Sequence, residues 1–176
     1  MKIKRNKNYT FFLALMTAFA LSLYFFEMLI PQPLPFIKVG LSNIVVLVLV
    51  FSQFYKEALF VAFAKSFVGA LVTGTIISPT FILSLSGACL SCGFMIVFYK
   101  SLKSLTIFGL SIVGAFVHLM TQLVMVRLIL IKTNNIFSLY PLIVISAIIT
   151  GFITGWLAYI FSTNVNLRSV YVKINN

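Results

Sequence analysis

Few side chains in this sequence could do chemistry, and the types that are missing decide much of the reading. There is no aspartate, and the only two acidic residues are Glu27 and Glu57. Metal-dependent prenyl or phosphoryl transfer needs clustered carboxylates to hold magnesium, which two glutamates thirty positions apart do not supply. A single histidine, His118, argues against a catalytic triad or a zinc centre. Cys89 and Cys92 form a C-x-x-C inside an apolar run, where a redox or metal role would need electropositive surroundings or further ligands, so both are read as small buried residues. The expectation is a protein that is not an enzyme and holds neither metal nor cofactor. What remains is recognition, by a set of polar residues set among apolar ones: Glu27, Lys38, Asn43, Ser86, His118 and Gln122.

The elements that carry this set follow from composition. Of 176 residues, 61% are hydrophobic and 9% charged, against about 25% charged in an ordinary soluble domain. That excludes a soluble globular protein. At roughly 20 apolar residues per helical crossing, the length holds about six spans and leaves no room for an extramembrane domain. The apolar runs predict spans at 9–30, 39–54, 58–78, 80–99, 105–131 and 141–162, within one transmembrane domain covering 1–176. The fold class is therefore an all-α integral membrane protein, a six-transmembrane-helix bundle in the cell membrane with lipid around it. A net charge of +11 suggests nucleic acid in a soluble protein; here the charges punctuate apolar runs and report topology instead, so no nucleic-acid partner is expected.

With the N-terminus inside, the inner side carries Lys2, Lys4, Arg5, Lys7, Lys56, Lys100, Lys103, Arg168 and Lys173, and the outer side Lys38 and Lys132. Cytoplasmic loops are enriched in such residues, so both termini are predicted to be cytoplasmic. The basic start followed by Ala18-Phe19-Ala20 resembles a cleavable signal, but the apolar run continues to Ile30 and losing it would invert the charge bias. It is read as a retained first helix.

Counting helical rise then gives depths. Glu27 lies at the outer end of the first helix, Lys38 and Asn43 open the second, Ser84 and Ser86 belong to the outer half of the fourth, and His118 sits past the middle of the fifth with Gln122 one turn further out and Gly114 one turn below. Polar groups are expensive in a bilayer and face the bundle interior or a cavity, so these positions predict a polar pocket open to the outside. Each has a plainer alternative: Lys38 snorkelling to headgroups, Glu27 clipping to Lys38, His118 bonding between helices. Arg127, nine residues past His118 and so on the opposite helix face, and Lys65, about a third of the way in from the cytoplasm, both read as snorkelling side chains. The loop Pro31-Gln-Pro33-Leu-Pro35 is stiff and extended, either a rigid connector or a lid over the pocket mouth.

Small residues recur at four-residue spacing in three places: Ala14, Ala18 and Ser22; Ala62, Ser66 and Ala70; Ala147, Gly151 and Gly155. Such faces let helices approach closely, and internal packing is the default for all three. On the first helix the small face points away from Glu27, so one side could serve the pocket and another an external partner.

The run from Glu27 through Pro31, Pro33, Pro35 and Lys38 to Asn43, then Gly69 to Thr75 with Ser78-Pro79 and Ser84-Leu-Ser86-Gly87, then Gly114 to His118 with Gln122, resembles the Gx transporter family, also described as heptaprenyl diphosphate synthase component I. That family is similar to the substrate-binding S components of energy-coupling-factor (ECF) transporters. The resemblance covers roughly residues 10–160, and departs at Leu119, where Asn is expected, and at Lys65, where Arg is commoner. It implies a bundle that captures a small molecule from outside and docks onto a transmembrane coupling subunit with ATPases through an A-x-x-x-A face. Ala14-Leu-Met-Thr-Ala18 matches that motif.

Two functions follow. The first is a substrate-binding membrane subunit of an ECF-type or related transporter, capturing a small molecule or vitamin-like precursor, with the excess of Lys38, His118 and Arg127 over Glu27 hinting at an anionic one. The second is a non-catalytic membrane component of a heptaprenyl (polyprenyl) diphosphate synthase. No phosphate-binding loop is present, so ATP-driven transport would draw its energy from a partner.

Overall fold

In the computed structural model of the chain, residues 7–29, 40–102, 104–129, 138–165 and 167 are described. Among them are six α-helices: α1 (Lys7–Met28), α2 (Asn43–Phe51), α3 (Tyr55–Val72), α4 (Pro79–Ser101), α5 (Ile107–Ile129) and α6 (Tyr140–Asn164). The proline loop with Pro31, Pro33 and Pro35, and Lys38 with it, lie outside the described residues.

Four helices, α1 from Tyr9 onward, α4, α5 and α6, are long and apolar enough to cross a bilayer. Their outward faces are lined by large apolar residues such as Phe11, Phe26, Phe94, Ile145, Phe152 and Trp156, all exposed. Polar side chains are turned inward instead: Glu27, Lys65, Ser91, Ser111, His118, Gln122, Thr150 and Thr154 are buried. An apolar exterior around a partly polar interior is the arrangement that hydrocarbon demands. The chain is a multi-pass membrane protein.

The sequence reading is corrected at the second span. Helix α2 has nine residues, a length of about 14 Å against a hydrocarbon core of about 30 Å. It does not cross by itself. Ile44 to Val50 are all buried, each no more than 5% exposed, so α2 is apolar on every side because protein surrounds it on every side. It lies against α1, α3, α4, α5 and α6.

A tight turn returns the chain from α2 to α3. Phe54 N–H donates to Leu49 O and Gln53 N–H to Val50 O, with Gln53 in the left-handed region at φ 69°. This is a Schellman ending with glutamine where glycine is usual. The hairpin it makes brings Lys65, ten residues past the start of α3, level with Asn43, eight residues before the end of α2. Phe12 of α1 stacks near Phe54 at 5.6 Å, Lys100 of α4 lies 4.7 Å from the Tyr55 ring, and Phe161 of α6 stacks on Phe19 of α1 at 5.4 Å. The start of α1 and the end of α6 therefore share the end of the bundle that bears Lys56 and Lys100. Glu27 and Asn43 share the opposite half.

Glycines set the closest approaches. A Cβ on Gly151 would lie 2.7 Å from the Cα of Ile112, and one on Gly155 3.3 Å from the Cα of Phe108. Helices α5 and α6 pack backbone to backbone because these two positions lack side chains.

Candidate functional site

The site is built where the end of α1 and the start of α2 meet α3 and α5. Glu27 closes a buried stripe on α1 formed by Phe12, Met16, Ala20 and Glu27, and is itself 4% exposed. Its carboxylate accepts the N–H of Gly40. Gly40 has φ 79°, a conformation that favours glycine, and a Cβ there would sit 3.2 Å from the Asn43 amide nitrogen. Two reasons thus fix glycine at the position that leads the chain into α2.

Lys65 holds the same segment from the other side. Its Nζ donates to Ser42 Oγ at 3.0 Å and to Asn43 Oδ1. Ser42 stands at the N-cap of α2 with helical backbone angles, φ −64° and ψ −19°, and makes no capping bond with its side chain; its hydroxyl oxygen accepts from Lys65 instead. At 3% exposure, Lys65 does not snorkel toward the cytoplasm as its sequence position suggested. The correction has a plain cause: α3 begins at Tyr55 rather than 58, which sets Lys65 about one turn deeper. Lys65 is a site residue that sequence reasoning passed over. The available signal was a lysine amid apolar residues, opposite the polar start of the preceding helix.

Asn43 and Gly40 line one wall of a cavity of about 20 Å³, with Leu47 beside them. His118, Leu119 and Ala115 of α5 line its upper part, and Met95 of α4 lies lower, against Gly114. The imidazole of His118 lies against α4 at Gly87, where a Cβ would come within 2.9 Å of ring atoms. Gly87 is therefore the residue that admits the ring.

Below His118 the cavity is lined by hydroxyls that sequence reasoning did not select: Ser91, Ser111, Thr150 and Thr154. Ser91 donates to Gly114 O at 2.7 Å, and the Ser111 and Thr154 hydroxyls are 2.8 Å apart. Thr150 and Thr154 donate to carbonyls four residues back on α6, which satisfies the donors and leaves oxygen lone pairs facing inward. Their signal in the sequence was the doubled Thr-Gly of Thr150-Gly151 and Thr154-Gly155. A cavity of this size takes about one water or a group of a few atoms, so a larger ligand enters only as walls such as Met95 and Leu47 move.

Gln122 is buried one turn beyond His118, and its Oε1 has no hydrogen-bond partner among the described residues. It is not on the cavity wall. Ser86 stands apart as well: it is partly exposed and its hydroxyl returns to Ile82 O at 2.6 Å on its own helix. The structure thus brings together Glu27, Asn43 and His118, adds Lys65, and directs Ser86 elsewhere. Cys92 is buried and Cys89 partly so, both as free thiols. Ala14 and Ala18 are exposed on the outside of α1, remote from the cavity.

A protein-family model described as heptaprenyl diphosphate synthase component I matches residues 16–161. The chain belongs to that family. The match spans α2 through α5 entirely, α1 from Met16 onward and α6 up to Phe161, so it includes every residue of the polar site. No curated protein and no solved structure matches the chain. The family is that of a component of a synthase, which implies a protein partner.

Proposed function

We propose that the chain is a membrane-embedded binding subunit, one that captures a small polar molecule within the bundle and works with a partner protein. One observation carries this reading: Asn43, His118 and four hydroxyls converge on an interior cavity, with a buried lysine bonded to its wall. A scaffold that only fills the membrane would gain nothing from polar groups whose burial costs free energy. The Lys56 and Lys100 end is taken as cytoplasmic by the positive-inside rule, which makes capture from the outer face the direction of binding. Catalysis is not part of the proposal, since the sequence has no aspartate to hold magnesium for prenyl transfer.

The partner is read as an ECF-type coupling subunit with its ATPases, docking on Ala14 and Ala18. Their exposure on α1 supports this, because small residues buried nowhere within the bundle remain available for a close helix approach. The family description favours a second reading, in which the chain is the non-catalytic membrane component of a polyprenyl diphosphate synthase. Affinity purification of the tagged full-length protein from gentle detergent separates the two. Recovery of a transmembrane subunit with ATPases supports the transporter; recovery of an aspartate-rich prenyl synthase subunit supports the other.

A further inference from the structure

We infer that the lower cavity is a subsite for an uncharged hydrogen-bond donor, the O–H of an alcohol or the N–H of an amide, and that Ser111 receives it. The inference rests on the binding-subunit reading and specifies which end of the captured molecule enters first. It begins with where the hydroxyl hydrogens go. Ser91, Ser111, Thr150 and Thr154 are each more than nine-tenths buried and line the same cavity. The Ser91 hydrogen goes to Gly114 O and the Thr150 hydrogen to Ser146 O. Thr154 Oγ1 lies 2.8 Å from Thr150 O, an atom that only accepts, so Thr154 donates there. That assignment fixes the direction of the next bond: Ser111 donates to Thr154 across 2.8 Å. All four hydrogens are thus committed to protein oxygens, and what the four hydroxyls have left to offer is lone pairs.

Such lone pairs select a donor. A carboxylate or a bare carbonyl would set oxygen against oxygen, whereas an O–H or N–H completes them. Ser111 is the preferred acceptor of the four, because it heads a chain that runs through Thr154 to the Thr150 carbonyl. A hydroxyl that donates into such a chain is polarised and accepts more strongly in turn. Charge favours a neutral donor over an ammonium group. None of the described residues lining the cavity is acidic, and Lys65 is bonded to Asn43 on its wall. A cation there would meet neutral oxygens and a neighbouring positive charge. The upper wall has the opposite character. Lysine Nζ only donates, so Asn43 gives its amide oxygen to Lys65 and keeps its NH₂ hydrogens for a ligand acceptor. Acceptors below and a donor above orient the molecule, with its O–H or N–H toward Ser111 and an acceptor atom toward Asn43.

Methanol, methylammonium and acetonitrile are small probes that bring, in turn, a neutral donor, a charged donor and an acceptor with no donor. Each is titrated at constant ionic strength into full-length protein in detergent whose methionine and threonine methyl groups are isotope-labelled for NMR. The methyl signals of Met95, Thr150 and Thr154, all on the cavity wall, report occupancy. Methanol should shift them saturably and bind about fivefold more tightly than either other probe, or better. Ser111→Ala should weaken methanol by a similar factor, with the signals of Met16 and Met125 unchanged as the sign of an intact fold. Thr154→Val removes the acceptor that commits the Ser111 hydrogen, so it should erase the preference for methanol over acetonitrile, and Thr154→Ser should keep it.

Tighter binding of methylammonium or acetonitrile, or a methanol response undiminished in Ser111→Ala, overturns the inference while leaving a cavity that binds. No saturable shift with any of the three overturns it as well. Native mass spectrometry of the same preparation then decides the wider reading: a retained small-molecule mass keeps the binding subunit, and its absence removes both.

Discussion

The small residues of α6 and those of α1 follow the same four-residue spacing and meet opposite fates. Ala147, Gly151 and Gly155 are buried against α5, close enough that added carbon atoms would strike the backbone of Ile112 and Phe108. Ala62, Ser66 and Ala70 on α3 are buried likewise. Ala14, Ala18 and Ser22 lie exposed along α1, beside Phe11, Leu15 and Phe19. Spacing tells that a helix can be approached closely; it does not tell from which side. Two of the faces are consumed in building the bundle, and the third stays exposed on the outside of α1.

This contrast can be broken most forcefully at Gly151. Gly151→Leu places side-chain volume where Ile112 backbone already stands, and backbone cannot step aside as a flexible side chain does. Overpacking of this kind costs about 1–3 kcal/mol and occasionally more. The variant should yield little folded protein, or a clearly lowered melting temperature in detergent. A melting temperature equal to wild type would mean that α5 and α6 are not held as described.

The site gives the next largest effect. Lys65→Met removes the donor to Ser42 and Asn43 and keeps a long apolar side chain in the same buried position. Ligand retention should disappear while folded protein is still recovered. Unaltered retention would return Lys65 to a structural role.

Ala18→Trp should change stability by no more than about 0.5 kcal/mol, as for a surface substitution, and leave ligand affinity intact. Partner recovery in a pull-down should be lost. If melting temperature and affinity fall together with the pull-down, α1 packs internally and the contrast with α6 is wrong. Gly93→Ala is the smallest test. Nothing lies within 4 Å of a Cβ there, so the change should stabilise α4 by up to about 1 kcal/mol through helix propensity. A destabilised variant would reveal a contact that the described packing lacks.

How far the sequence was legible depends on which coordinate is asked of it. Apolar runs and rise per residue gave the ends of α1, α4, α5 and α6 within a few positions, because lipid-facing helices must be apolar over their whole length. The same logic misread α2, since a helix buried in protein on all sides is as apolar as one in lipid and needs no particular length. Depth was legible for Glu27, Asn43 and His118. Azimuth was not: Ser86 and Gly87 share a depth, yet one residue is a turn of about 100°, and it is Gly87 that faces His118 while Ser86 bonds to its own helix. Lys65 was misplaced because its depth was counted from a helix start three residues too late. Thr150 and Thr154 escaped notice because threonines that satisfy their donors within a helix are cheap to bury, so their presence signals nothing until α5 and α6 are seen together.

The central claim is that the interior cavity beside Asn43 and His118 holds a small molecule. Native mass spectrometry of the full-length protein tests it most directly, comparing wild type with the His118→Leu variant at matched expression. The account predicts an added small-molecule mass on wild type, absent from a variant that remains folded. The same added mass on both proteins would contradict it, and would reduce His118 to a packing residue.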